Sequence, residues 1–146
     1  MSAKEHKLSR SEMMGRVHSR DTHPEMVVRR LLHAKGLRFR LHRSDLPGKP
    51  DIVLPKHRTV ILVHGCFWHG CPNCKKGCTL PKTNVSFWRR KIQGNIERDK
   101  LVQAELERVG WNVVTVWECQ TKDTDTLSLW LVASLRNSNE NEAHVC

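Results

Sequence analysis

The chain has 146 residues, 38% hydrophobic and 27% charged, the size and balance of one soluble globular domain with a core of its own. Its 25 Lys and Arg against 15 Asp and Glu give a formal charge of +10, which favours a polyanionic partner, nucleic acid first. No run approaches a membrane-spanning length and the opening MSAKEHKLSRSEMM lacks an apolar signal core, so neither a membrane span nor secretion by a signal peptide is expected, and a cytoplasmic protein is.

Residues 1–20 are basic and polar without periodicity and read as a mobile arm. Thr22 and Glu25 have capping-box spacing, and Val27, Val28, Leu31 and Leu32 mark one face of a helix that stops at Gly36. Leu37–His42 alternates apolar and polar as a half-buried strand does. The turn LPGKP leads into a short strand from Asp51 to Leu54. Thr59–Val63 is a continuous apolar run, most easily buried on both faces at the centre of a sheet. An irregular, cysteine-rich stretch follows, and 86–109 then reads as a long helix with Ile92, Ile96, Val102 and Leu106 on one stripe. Asn112–Trp117 is a second buried strand. Thr124 or Asp125 caps a last helix carrying Leu127, Trp130, Leu131 and Leu135 inward, and 137–146 is a disordered polar tail. Strand, long helix, strand implies a right-handed crossover between parallel neighbours. The expected fold is a single α/β domain over 21–136, a small mixed sheet flanked by helices.

Six cysteines in a reducing compartment suggest metal more than disulfides. Cys71-Pro-Asn-Cys74 supplies the closely spaced pair that tetrahedral zinc sites commonly use. Cys66 lies three residues past one buried strand and Cys119 two past the other. If the strands are parallel neighbours, both sulfurs emerge at one end of the sheet. The spacing offers Cys66, Cys71, Cys74 and Cys119 as a zinc site, with Cys78 able to replace Cys74; free thiols are the alternative.

Asp51 begins a strand, while His64 and His69 flank Cys66-Phe67-Trp68. Asp99 falls on the apolar stripe of the long helix, where an unpaired carboxylate costs several kcal/mol. His69 is a natural partner, and an Asp–His pair orients a neutral imidazole as a general base. Against this, Asp51 could cap a turn, Asp99 could pair with Arg98 or Arg89, and Glu25 could serve only in the capping box. Basic clusters in the arm, at Arg38–Lys49 and at Arg89–Lys91 fit phosphate contacts. Phe67 and Trp68, in a glycine-flanked loop, and Trp88, beside an inward Phe87, are candidates to wedge between base pairs. Trp111, Trp117 and Trp130 are assigned to the core.

Together the segments SRSEMMGRVHSRDTHPE, LPGKPDIVL, VILVHGCFWHGC, PKTNVSFW, NIERD and LERVGWNVVTVWEC resemble the very short patch repair endonucleases, bacterial enzymes acting on T:G mismatches, from about Ser9 to Trp130. The resemblance implies a fold similar to the PD-(D/E)XK restriction endonucleases, a magnesium-dependent nick 5′ of the mismatched thymine arising from deaminated 5-methylcytosine, and a structural zinc. It makes Asp51 the magnesium-binding carboxylate, with the Val63 carbonyl a further contact. His69 paired with Asp99 becomes the general base, His64 a stabiliser of phosphate charge, and Glu25 an acid that orients water at the metal. Phe67, Trp68 and Trp88 match the intercalating aromatics, Met14 matches an arm residue inserted from the other groove, and the zinc ligands fall on Cys66, Cys71, Cys74 and Cys119. Cys71 replaces a histidine ligand found elsewhere in the family, and the longer loop before Pro81 leaves Cys78 without a counterpart. The acid and lysine of the PD-(D/E)XK pattern are absent, their stretch being Val63-His64-Gly65. The implied partner is mismatched double-stranded DNA in the bacterial cytoplasm at the nucleoid, with mismatch-repair proteins entering by analogy only. A monomer is expected, since an asymmetric mismatch offers no two-fold axis. Two other readings are a zinc-stabilised DNA-binding module without catalysis and a related nuclease cutting both strands.

Overall fold

The computed structural model describes residues 22–143, with side chains to Leu135; the basic arm and Met14 lie outside the described residues. Helix α1 (His23–Ala34) starts where Thr22 Oγ1 accepts from the Glu25 N–H at 3.4 Å and ends before Gly36, whose φ of +71° closes the helix. Strands β1 (Arg40–Leu41), β2 (Ile52–Leu54) and β3 (Thr59–His64) follow, then two single-turn helices, α2 (Cys66–His69) and α3 (Lys75–Cys78). The long helix α4 (Val85–Arg108), strand β4 (Asn112–Trp117), a 3-10 turn (Glu118–Lys122) and α5 (Thr124–Ala143) complete the order.

The sheet order is β1-β2-β3-β4, with β3 parallel to β4 and the other pairs antiparallel. The apolar run 59–63 therefore lies inside the sheet, as its unbroken hydrophobicity requires, and the crossover through α4 makes its neighbour parallel. Alternation along the strands divides the core in two. Ile52, Leu54, Ile61, Val114 and Val116 pack with Val28 and Leu32 of α1 and Leu127, Leu131 and Leu135 of α5. Val53 and Val60 face Leu106 and Val102 of α4. Asp51 and His64 share the parity of Val53 and Val60, so both belong to the α4 face, at the end where β2 begins and β3 and β4 finish.

Several local expectations are corrected. The strand at 37–42 shrinks to Arg40–Leu41, and Leu41 is exposed, because β1 is an edge strand with little to cover it. Phe87 points outward, 50% exposed, while Trp88 is buried at 4%. Trp130 is 39% exposed rather than core. The cap of α5 is Asp123, whose carboxylate accepts from the Thr126 N–H at 3.2 Å and hydroxyl at 2.7 Å. The backbone of α5 runs to Ala143.

Candidate active site and metal centre

Three clusters converge on the end of the sheet where β3 and β4 finish. The first is a carboxylate–imidazole couple. His69 Nδ1 lies 2.6 Å from Asp99 Oδ2; a carboxylate only accepts, so Nδ1 is the donor of this bond and Nε2 is left for another partner. The Asp99 partner is thus His69, and neither Arg98 nor Arg89 pairs with it among the described residues. His64 stacks on His69 with ring centroids 4.0 Å apart and planes within 6°, and its Nε2 is 3.9 Å from the other Asp99 oxygen. Burial, reinforced by the charge of His69, holds His64 down to about 4 against the pull of Asp99. At neutral pH His64 is therefore an uncharged N–H donor.

Asp51 belongs to the second cluster, with Glu25 and His42. Its Oδ2 accepts the Val63 N–H at 2.9 Å. Burial raises its carboxyl to about 6, with the Val63 N–H opposing and Glu25 adding to the rise. The β2–β3 register, continued by two residues, sets Pro50 opposite Val63. Proline has no N–H, so that strand offers the Val63 carbonyl no ladder donor, and the carbonyl points to the same edge as the N–H bound by Asp51. Glu25 is 2% exposed, its Oε1 3.3 Å from Arg29 Nη2 and 3.2 Å from His42 Nε2. The cap bond to its N–H holds, but the carboxylate turns toward these groups. One ligand atom each of Glu25, His42 and Asp51 lies within 4.8 Å of the others. Arg29 and His42 were not singled out from sequence. The signal for His42 was available: a hairpin centred on Leu46–Pro47 places it opposite Asp51, and its N–H donates to the Asp51 carbonyl at 3.1 Å.

Cys66, Cys71, Cys74 and Cys119 form the third cluster, their sulfurs all within 4.8 Å of one another and those of Cys71 and Cys119 3.8 Å apart. A Zn–S bond of about 2.3 Å in a tetrahedron sets ligand sulfurs about 3.8 Å apart, so the cluster has the size of such a site. Cys119 also donates its N–H to Cys66 Sγ at 3.3 Å. Cys78 is exposed and directs its thiol to the Cys71 carbonyl at 3.9 Å, outside the four-sulfur group. Gly77 makes this packing possible, for a Cβ there would lie 2.0 Å from the Cys71 carbonyl oxygen. Burial pushes the Cys66 thiol up, whereas the Gly77 N–H beside Cys74 holds that thiol at about 7.

A cavity of about 560 Å³ joins the first two clusters, lined by Glu25, Asp51, His64, His69 and Asp99 and also by Trp68. Phe67, Trp68 and Trp88 meet edge-to-face with centroids 5.4–5.8 Å apart, and the Asn95 side-chain amide donates to the Trp68 carbonyl at 2.9 Å. Trp88 is the buried base of this group, so Phe67 and Trp68 present the accessible faces.

A family model described as DNA mismatch endonuclease Vsr matches residues 3–76. The chain is 49% identical over 128 residues to the type II nicking enzyme V.XorIIP of Xanthomonas oryzae, covering 88% of this chain and 90% of that protein. It is 47% identical over 114 residues to the type II nicking enzyme V.NmeAIP of Neisseria meningitidis, covering 78% and 80%. Against the DNA mismatch endonuclease Vsr of Escherichia coli the identity is 40% over 125 residues, 84% of this chain and 77% of that one.

Proposed function

The chain belongs to the Vsr family of DNA mismatch endonucleases, and from that membership we propose that it nicks one strand of duplex DNA 5′ of the thymine in a T:G mismatch. The observation that carries this reading is the meeting of a buried Asp51 with the Asp99–His69 couple in one cavity beside the exposed faces of Phe67 and Trp68. A binding module has no use for a carboxylate held near pH 6 by burial, nor for an imidazole oriented at 2.6 Å.

In this reading the accessible faces of Phe67 and Trp68 wedge beside the mismatch, where a wobble pair costs less to unstack, and Met14 adds a wedge from the other groove. Trp88 supports them from below. His69, oriented through Nδ1 by Asp99, takes the proton of the attacking water at Nε2. His64 donates an uncharged N–H to a phosphoryl oxygen as negative charge develops there. Asp51 and the Val63 carbonyl are the groups to hold magnesium. The donor set fits: hard oxygen ligands, one of them a carboxylate whose charged form burial disfavours. When bound, magnesium would supply charge neutralisation at the phosphate and a lowered pKa for water. Glu25 orients water at that edge of the cavity. Zinc suits the four-sulfur cluster, where it would tie the α2–α3 loop to the segment after β4. The same reading puts a PD-(D/E)XK-like fold, a monomer and a bacterial cytoplasmic site of action together. No described helix is long and apolar enough to cross a membrane.

A nicking assay tests the proposal, using T:G and matched duplexes with each strand labelled separately, in magnesium and in EDTA. The expected result is one cut, 5′ of the mismatched thymine, in magnesium only. Equal cutting of matched duplexes on both strands would favour a related nuclease, and binding without cutting a zinc-stabilised module.

A further inference from the structure

The turn that delivers Asp51 carries backbone strain. Leu46–Lys49 closes as a β-turn, with the Lys49 N–H donating to the Leu46 carbonyl at 3.2 Å and Pro47 and Gly48 at its centre. Gly48 has a φ of +71°, and a Cβ there would meet Val102 Cγ1 at 2.3 Å. Lys49 then also adopts a positive φ, +47°. For a residue with a Cβ this region is unfavourable, and the proline that follows disfavours compact backbone at position 49 as well. Nothing in the hydrogen bonding of the turn requires a lysine at this point.

Lys49 is one of the residues lining the cavity that holds Glu25, Asp51, His69 and Asp99. The residue is exposed and its side chain makes no hydrogen bond or ion pair with any described residue, although carboxylates line the same cavity. Four acidic residues around one cavity, Glu25, Asp51, Asp99 and Glu118, repel a phosphodiester, and Lys49 and Arg98 are the strong cations that line it. Lys49 is two residues from Asp51 in the chain, so its position relative to that carboxylate is fixed by the turn. We propose that Lys49 is a phosphate-contacting residue of the nicking reaction, its ammonium held at the cavity by two successive left-handed residues so that it binds the phosphodiester and offsets charge developing on it. The inference rests on the endonuclease reading above.

The test combines single-turnover nicking at saturating enzyme with the salt dependence of duplex binding in EDTA. Lys49→Gln should slow nicking by about 10²-fold and make the slope of log affinity against log salt shallower by about 0.9, the value of one lost phosphate contact. Lys49→Arg should recover most of the rate. Lys49→Gly, which accepts the left-handed backbone, should melt no lower than wild type yet cut as slowly as Lys49→Gln. Lys56→Gln, at the far end of the sheet, should change neither readout. The proposal is overturned by unchanged rate and slope in Lys49→Gln, by wild-type cutting in Lys49→Gly, by failure of Lys49→Arg to recover, or by equal losses in Lys56→Gln. If wild type itself cuts no duplex, the endonuclease reading fails and the slope decides alone: a shallower slope in Lys49→Gln upholds the phosphate contact, and an unchanged one overturns it.

Discussion

Replacing Asp51 by Asn removes a charge while keeping an oxygen that can accept the Val63 N–H, so it isolates the electrostatics of the buried carboxylate. Burial raises that carboxyl from 3.8 to about 6. A separation of that size is worth up to about 3 kcal/mol between the two protonation states. The sign follows from proton counts. As pH rises from about 4 to about 6, the unfolded chain ionises Asp51 before the folded one does, so the folded state binds more protons and stability falls with pH. Below pH 4 both states are protonated and nothing is lost. Metal-free Asp51→Asn should therefore match wild type near pH 4 and exceed it by up to about 3 kcal/mol near pH 7, while nicking is abolished. Urea unfolding at both pH values, in EDTA, measures the difference. Added magnesium should raise wild-type stability near pH 7 and leave the variant unmoved. A variant destabilised equally at both pH values, or one still stabilised by magnesium, would refute the assignment of Asp51 as the buried, cation-seeking group.

His69→Ala and Asp99→Asn should each slow nicking by roughly 10²–10⁴-fold, and the double variant should lose far less than the product of the two; single-turnover rates on circular-dichroism-checked proteins decide it. Cys74→Ser should lose a stoichiometric zinc, whereas Cys78→Ser should keep it and change stability by less than about 0.5 kcal/mol, as metal analysis and melting will show. Trp68→Ala should cost about 1–3 kcal/mol of affinity for T:G over matched duplex with an unchanged salt slope. Trp88→Ala should instead lower folding stability, by about 3–5 kcal/mol, since it empties a buried volume; binding titrations beside denaturant melts separate the two.

Much of the site was legible because its chemistry conflicts with its local pattern. Asp99 interrupts an apolar stripe, and such a carboxylate needs a partner, which the structure supplies in His69. The unbroken run at 59–63 located the strand inside the sheet, and the crossover then brought Cys66 and Cys119 together. Where the chain was misread, a tertiary neighbour decided the outcome. The alternation of 37–42 speaks for a strand, yet an edge position leaves most of it unpaired. The phase of α4 at its start was readable from Trp88, four residues before Ile92 on the same face, but the adjacent Phe87 competed for that assignment. The Glu25–Arg29–His42 group joins a helix to a hairpin thirteen or more residues away, a meeting that no local spacing encodes.

Joining Cys66 to the segment that follows β4 has a consequence during synthesis. Cys119 contributes both its N–H and its sulfur to the cluster that anchors the loop bearing Phe67, Trp68 and His69. A nascent chain that ends between residues 99 and 119 has already made Asp51, His69 and Asp99, but it lacks the clamp that fixes the loop. The loop that bears Phe67, Trp68 and His69 is thus fixed only once residue 119 has been made, after both β3 and β4.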